Sequence, residues 1–262
     1  MKSSTLIGIL LGLVSIFGAY LWEGGSFQIL FMLPAMLIVF GGTLAAGIAG
    51  STWKQFKKLP ILFTVAIKPK HYNLVNIINQ IIEYSYIVRR RGMLALDKYL
   101  ANAYHPFMKK LFQNCIDGAD PDSLKKIVEL DIYNMTERHQ QNINLFIKMG
   151  GYSPTMGIIG TVMGLISALA SAGSEPTELI HHIASAFIAT MWGIVMANIV
   201  WLPIGDKLKV LHDEEIQIMQ IIAEGVEAVL KGDMPIVIKS KLTGTLPYHL
   251  QNQIVTKEFK GN

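Results

Sequence analysis

The chain has 262 residues, 51% hydrophobic and only 16% charged, with a mean hydropathy of +0.38. Soluble globular domains carry about 25% charged residues, so this balance excludes an ordinary water-soluble fold and predicts a membrane protein. The formal charge of +4 and pI near 9.0 come without a dense basic run interleaved with aromatics, which argues against a nucleic-acid partner and for cationic faces beside anionic lipid.

Four charge-free stretches, residues 3–22, 24–53, 149–172 and 179–203, are long enough to cross a hydrocarbon core of roughly 30 Å as helices. The first has no convincing small-residue cleavage site behind it and is read as a retained span. It turns into the second through Glu23, Gly24, Gly25 and Ser26, with Tyr20 and Trp22 as anchors at the outer interface. Pro34, the pair Gly41-Gly42 and Gly50 let the second span bend or pack closely.

Lys54, Lys57 and Lys58 mark the inner face, and the region that follows is too long for an idle loop. Residues 74–88 are periodic at helical spacing, Gly92 interrupts them, and Asp120-Pro121 supplies a cap and a first-turn proline. That helix is expected to continue into the third span as one rod. The fourth span likewise continues past Pro203 through residues 206–230, with Gly232 as cap and Pro235 as stop, and the last dozen residues of the chain are expected to be disordered. Cys115, the only cysteine, excludes an intrachain disulfide and reads as a packed apolar thiol.

The fold class is therefore all-α, a polytopic membrane protein with four transmembrane helices and a helical cytoplasmic domain. The expected divisions are 1–50 (first transmembrane hairpin), 51–147 (cytoplasmic helical loop), 148–204 (second transmembrane hairpin lining a partner-binding centre) and 205–262 (cytoplasmic C-terminal helices and tail). Neither outer connection, 23–26 or 173–178, contains a Lys or Arg, so all 23 basic residues lie on one side. By the positive-inside rule both termini are cytoplasmic.

The third and fourth spans share one design. Gly157, Thr161, Gly164 and Ala168 fall at spacings of four, three and four, and Ala186, Thr190, Gly193 and Ala197 repeat them. Each set makes a narrow small-residue stripe where another backbone can approach; tight packing is the commoner meaning, an ion-path lining the rarer one. Pro154 and Pro203 stand at the cytoplasmic ends of these spans, as hinges or as simple kinks.

No catalytic residue set, metal site or cofactor motif assembles, and His181-His182 lies near the outer surface without a companion acid. Ion handling needs an ionisable group at depth, and none of the four spans has one. Thr161, Thr190, Ser167 and Asn198 offer only hydroxyl and amide groups. A titrating carboxylate, if ions pass, must come from another polypeptide. The run Arg89-Arg90-Arg91-Gly92 followed by Asp97-Lys98 reads by itself as a solvated face.

The string Gly151-Tyr-Ser-Pro154-Thr-Met-Gly157-Ile-Ile-Gly160-Thr161-Val-Met-Gly164-Leu resembles the third-span signature of the MotA family, the A-subunits of flagellar stators. The run from Ala186 to Gly193, then Leu202-Pro203-Ile-Gly-Asp-Lys207-Leu, is similar to the fourth-span motif, and Glu137-Arg138-His139 and Glu224-Gly225-Val226 match further family positions. Related energising subunits of the ExbB and TolQ type have three spans and are the alternative, with a passive membrane scaffold as the alternative from another class.

The resemblance implies a non-enzymatic subunit of the cell inner membrane, in a homopentameric ring around a MotB-like single-span partner whose aspartate binds the transported ion. It implies a rotor partner, FliG. Thr161 and Thr190 with Gly157, Gly164, Ala186 and Gly193 become partner-facing, Pro154 and Pro203 the conformational prolines, and Arg89 or Arg90 with Asp97 the rotor-facing charges. Trp192 stands where tyrosine or leucine is common, and Asp97 where glutamate is frequent. Sodium-driven relatives can carry an acid where Gly151 stands, which favours the proton as the transported ion.

Overall fold

The structure, a computed structural model, describes residues 4–171, 173 and 176–254. The expectations that fall on Ser3, Ala172, Ser174, Glu175 and residues 255–262, including most of the tail, lie outside them. Among the described residues there is no strand. The helices are α1 (Ser4–Trp22), α2 (Phe27–Ala49), α3 (Trp53–Phe56), α4 (Leu59–Ile67), α5 (Leu74–Arg91), α6 (Pro106–Ile116), α7 (Pro121–Ala170), α8 (Pro176–Leu230), α9 (Pro235–Thr243) and α10 (Tyr248–Gln251). Four of them, α1, α2, α7 and α8, are long and apolar enough to cross a membrane. The expected continuous rods are present: α7 runs 50 residues and α8 runs 55. Pro235 is a correction in detail, because it opens α9 as a first-turn proline rather than only stopping the chain.

Two compact units form, one of residues 1–69 with 138–211 and one of residues 70–137 with 212–262. These divisions differ from the expected ones at 50, 147 and 204. The reason is α4, whose Leu59, Leu62 and Ala66 are buried with Phe146 and Met149 of α7 and Trp201 and Ile204 of α8, so the segment after the second span still packs with the spans.

In the first unit the prolines decide the local geometry. α2 breaks at Phe31 and Met32, just ahead of Pro34. Pro34 has no N–H, so the carbonyl four residues earlier, Leu30, lacks its helical donor. The indole Nε1 of Trp192 donates to that carbonyl at 2.7 Å. Phe17, Phe31 and Phe40 pack around the Trp192 ring with centroids 5.5, 5.8 and 5.7 Å away. In α8 a π-turn over Met196–Trp201 precedes Pro203, where a wider turn accommodates the proline ring and its missing amide. α7 carries Pro154 inside an uninterrupted helix.

The second unit is built on α5, whose Ile77, Ile78, Ile81 and Ile82 meet Met108, Leu111 and Phe112 of α6 and Ile222 and Val226 of α8. α5 extends one turn beyond the periodic stretch because its last residues, Arg89, Arg90 and Arg91, suit the negative pole of a helix C-terminus. Gly92, at φ +81, ends it in a conformation other residues rarely adopt. Gly232, at φ +79, closes α8 in the same way: Asp233 N–H donates to Ala228 O at 3.0 Å and Gly232 N–H to Val229 O at 3.1 Å.

At the start of α7, Asp120 accepts from the amides of Asp122 and Ser123 at 3.0 and 2.9 Å, and the Ser123 bonds hold its carboxyl below the usual carboxylate range. Cys115 is buried and its thiol is pushed up to about 11 by burial, as an inert packed thiol should be.

Candidate functional site

The two small-residue stripes meet each other within this chain. A Cβ added at Gly157 would stand 3.0 Å from the Ala189 carbonyl and 3.3 Å from Gly193 Cα. One at Gly193 would stand 2.8 Å from the Ser153 carbonyl and 3.0 Å from Gly157 Cα, and one at Gly164 would meet Ala186 Cβ at 2.8 Å. Gly157, Ala186 and Gly193 are buried. Within the chain these residues therefore close the α7–α8 seam, backbone to backbone, instead of leaving an open lining.

The threonines are what the seam leaves reachable. Thr161 and Thr190 are half-buried, and their hydroxyl oxygens lie in hydrogen-bond contact. Thr161 Oγ1 also reaches the Gly157 carbonyl at 3.0 Å and the Ala186 carbonyl at 3.2 Å. A threonine has one proton to give, so the pair has two settings. With the Thr161 proton on a backbone carbonyl, Thr190 donates to Thr161; with it on Thr190, the Thr190 proton is free to be donated elsewhere. Fully buried Ser153 fastens the same seam, donating to the Gly193 carbonyl at 3.0 Å.

Both candidate hinge prolines lie inside the first unit, not at the divisions between units at 137/138 and 211/212. Pro203 lines a groove of about 530 Å³ with Ser4 and Thr5 of α1 and Asn198, Asp206 and Lys207 of α8. Asn198 itself donates to the Ile194 carbonyl at 2.9 Å, so its amide serves the helix ahead of the π-turn. His181 is exposed and His182 half-buried, with ring centroids 6.1 Å apart.

Arg89, Arg90 and Asp97 are exposed in the second unit, the arginines in the last turn of α5 and Asp97 just after the 3-10 turn Met93–Leu96. The structure thus brings the threonines and glycines together in one seam and the charges together near one turn, as two separate sites. Sequence reasoning missed the Trp192 bond to Leu30, the Ser153 bond to Gly193 and the two π-turns, Met196–Trp201 in α8 and Leu37–Gly41 in α2, the latter running into the Gly41-Gly42 pair. Pro34 was the available signal for the first, since it announces an orphaned carbonyl.

A four-span α-helical subunit, with two hydroxyls paired at depth and no charge in its spans, is the class these features define. The profile of the MotA/TolQ/ExbB proton channel family matches residues 100–221, and that of the motility protein A N-terminal region matches residues 6–91. Motility protein A of Bacillus subtilis is 35% identical over 94% of this chain and 92% of its own length. Chemotaxis protein PomA of Vibrio alginolyticus is 31% identical over 94% and 96%. A solved structure of the flagellar MotAB stator complex from Bacillus subtilis superposes with a TM-score of 0.89 at 33% identity, covering 96% of this chain and 99% of that one. The chain belongs to the motility protein A branch of the MotA/TolQ/ExbB proton channel family, as a membrane-embedded flagellar stator A-subunit.

Proposed function

We propose that this subunit works with a MotB-like single-span partner, passing protons from a partner aspartate along the Thr161–Thr190 seam, and that the flow drives a homopentameric ring against the rotor protein FliG. The observation that carries the reading is the threonine pair itself, two half-buried hydroxyls in contact inside spans that hold no charge. A carboxyl brought alongside would be raised in pKa by burial and lowered by hydrogen bonds to its ionised form. Thr190 can donate to that ionised form in one setting of the pair and accept from the protonated form in the other. A group that must both gain and lose a proton is served by such a neighbour.

The absence of Lys and Arg from both outer connections, 23–26 and 173–178, supports cytoplasmic termini and a cytoplasmic second unit under the positive-inside rule. Arg89 or Arg90, with Asp97, then faces the rotor. Pro154 and Pro203 act within the membrane unit, where the π-turn before Pro203 lets α8 change register locally. The motility-type N-terminal profile over residues 6–91 favours this reading over an ExbB- or TolQ-like energising subunit.

The test is a pair of substitutions. Thr190→Val keeps the shape and deletes the hydroxyl, so assembly with the partner should survive while swimming falls sharply; Thr190→Ser should retain much of it. A motile Val variant beside a defective Ser variant would return Thr190 to a packing role.

A further inference from the structure

Leu94 stands out on the second unit. It is 75% exposed, yet it lies on a turn that is fastened at every step. Gly92 N–H donates to Val88 O at 2.8 Å, Ala95 N–H to Gly92 O at 3.2 Å and Tyr99 N–H to Leu96 O at 2.8 Å. Leu96 is fully buried, and the Tyr84 hydroxyl donates to the Tyr99 carbonyl at 3.1 Å. That phenol is pushed up to about 12 by burial and by Glu83, so it remains a donor at any physiological pH. The leucine is therefore held outward by a rigid frame and is not a loop residue free to fold back.

Its surroundings in the chain are charged. Arg89, Arg90 and Arg91 precede it, Asp97 and Lys98 follow, and all five are exposed. Exposed ion pairs contribute little each and are screened by salt. Protein contacts that hold under load instead place a desolvated apolar or aromatic anchor inside a polar rim. A single exposed leucine is ordinarily unremarkable in itself; one presented rigidly and flanked along the chain by exposed residues of both charge signs has the makings of such a contact.

We infer that Leu94 is the apolar anchor of the rotor contact, entering a pocket on a protein partner whose rim carries carboxylates for the arginines and a cation for Asp97. This rests on the rotor contact proposed above. The charges steer and orient the encounter, and Leu94 holds it. Leu94→Ser should weaken binding about ten-fold, the order expected for exposing a leucine side chain that the complex buries, and Leu94→Met should bind nearly as wild type.

The experiment uses the full-length chain assembled with its single-span partner, and FliG as the probe, with binding measured over a salt series. Three variants are compared: Leu94→Ser, the combined Arg89→Ala, Arg90→Ala and Asp97→Ala, and Leu130→Ser at another exposed leucine of the same unit. Support is a loss for Leu94→Ser that persists at high salt, with Leu130→Ser unaffected. If the charge variant loses binding while Leu94→Ser keeps it, the anchor is overturned and the rotor contact stands. If both bind as wild type, the rotor contact falls and the anchor with it. Should Leu94→Ser not assemble, Leu94→Cys in a Cys115→Ala background decides by cross-linking in working motors: a cross-link to the rotor supports the anchor, and one confined to another copy of this chain overturns it.

Discussion

Trp192 carries two burdens at the scale of single residues. Its ring fills the space among Phe17, Phe31 and Phe40, and its N–H replaces the amide that Pro34 cannot offer to Leu30. An orphaned carbonyl at membrane depth has no water to turn to. Trp192→Phe keeps most of the ring and removes the donor, so it should cost about 1–3 kcal/mol, read as a lower unfolding midpoint of the detergent-solubilised protein. An unchanged midpoint would mean that Leu30 finds another donor. The proline was legible in the sequence, but its remedy was not, because the donor sits 162 positions away and nothing in local pattern links them.

His105 is the second residue with a directional consequence. Its Nδ1 accepts from the Phe107 amide at 3.2 Å as the N-cap of α6, and the ring lies edge-on to Tyr72 with centroids 4.4 Å apart. Burial lowers its pKa below the ordinary 6.5. The unfolded chain therefore takes up the proton first as pH falls. Stability of the second unit should be flat above about pH 6.5 and should decline between that value and the lowered folded pKa. His105→Asn, which keeps a cap acceptor without a titrating ring, should flatten that part of the profile in pH-dependent unfolding; the same slope in the variant would assign it to other groups.

At the scale of elements, the proposed function turns on the α7–α8 seam. Its glycines were legible as stripes, since periodicity reports small residues on one face, but not as a pair facing each other, which only the fold decides. Substitution separates the seam glycines from the rest. In Gly193→Ala the new methyl would meet the Ser153 carbonyl and Gly157 backbone, which cannot swing aside, and overpacking of this kind costs about 1–3 kcal/mol. Gly151→Ala, with nothing within 4 Å of the added carbon, should be neutral or slightly stabilising. Equal unfolding midpoints for the two would show that the helices separate freely. The π-turns escaped the sequence reading for a related reason: a proline or a diglycine marks where a helix can widen, and packing chooses whether it bends, breaks or takes in an extra residue.

For the molecule as a whole, the spans and the long rods were readable from hydropathy and from uninterrupted periodicity. The division into units was not, because α4 is short and apolar, and its burial against α7 and α8 is a tertiary fact. Topology can be read by labelling. Cys115 is too buried, and its thiol too reluctant to ionise, to report a side of the membrane. In a Cys115→Ala background, Glu23→Cys should react with an impermeant thiol reagent added outside and Lys98→Cys should not, both positions being exposed. The reverse pattern would invert the orientation drawn from the basic residues.

The central claim is that this chain supplies a path of hydroxyls and a partner supplies the acid. Proton uptake by vesicles under an imposed gradient tests it most directly, with this chain alone, with its single-span partner, and with that partner's membrane aspartate changed to asparagine. The account predicts uptake only for the chain with its unaltered partner, while the asparagine form still assembles with the chain and stays silent. Equal uptake by this chain alone, or by the complex lacking that carboxylate, would contradict it.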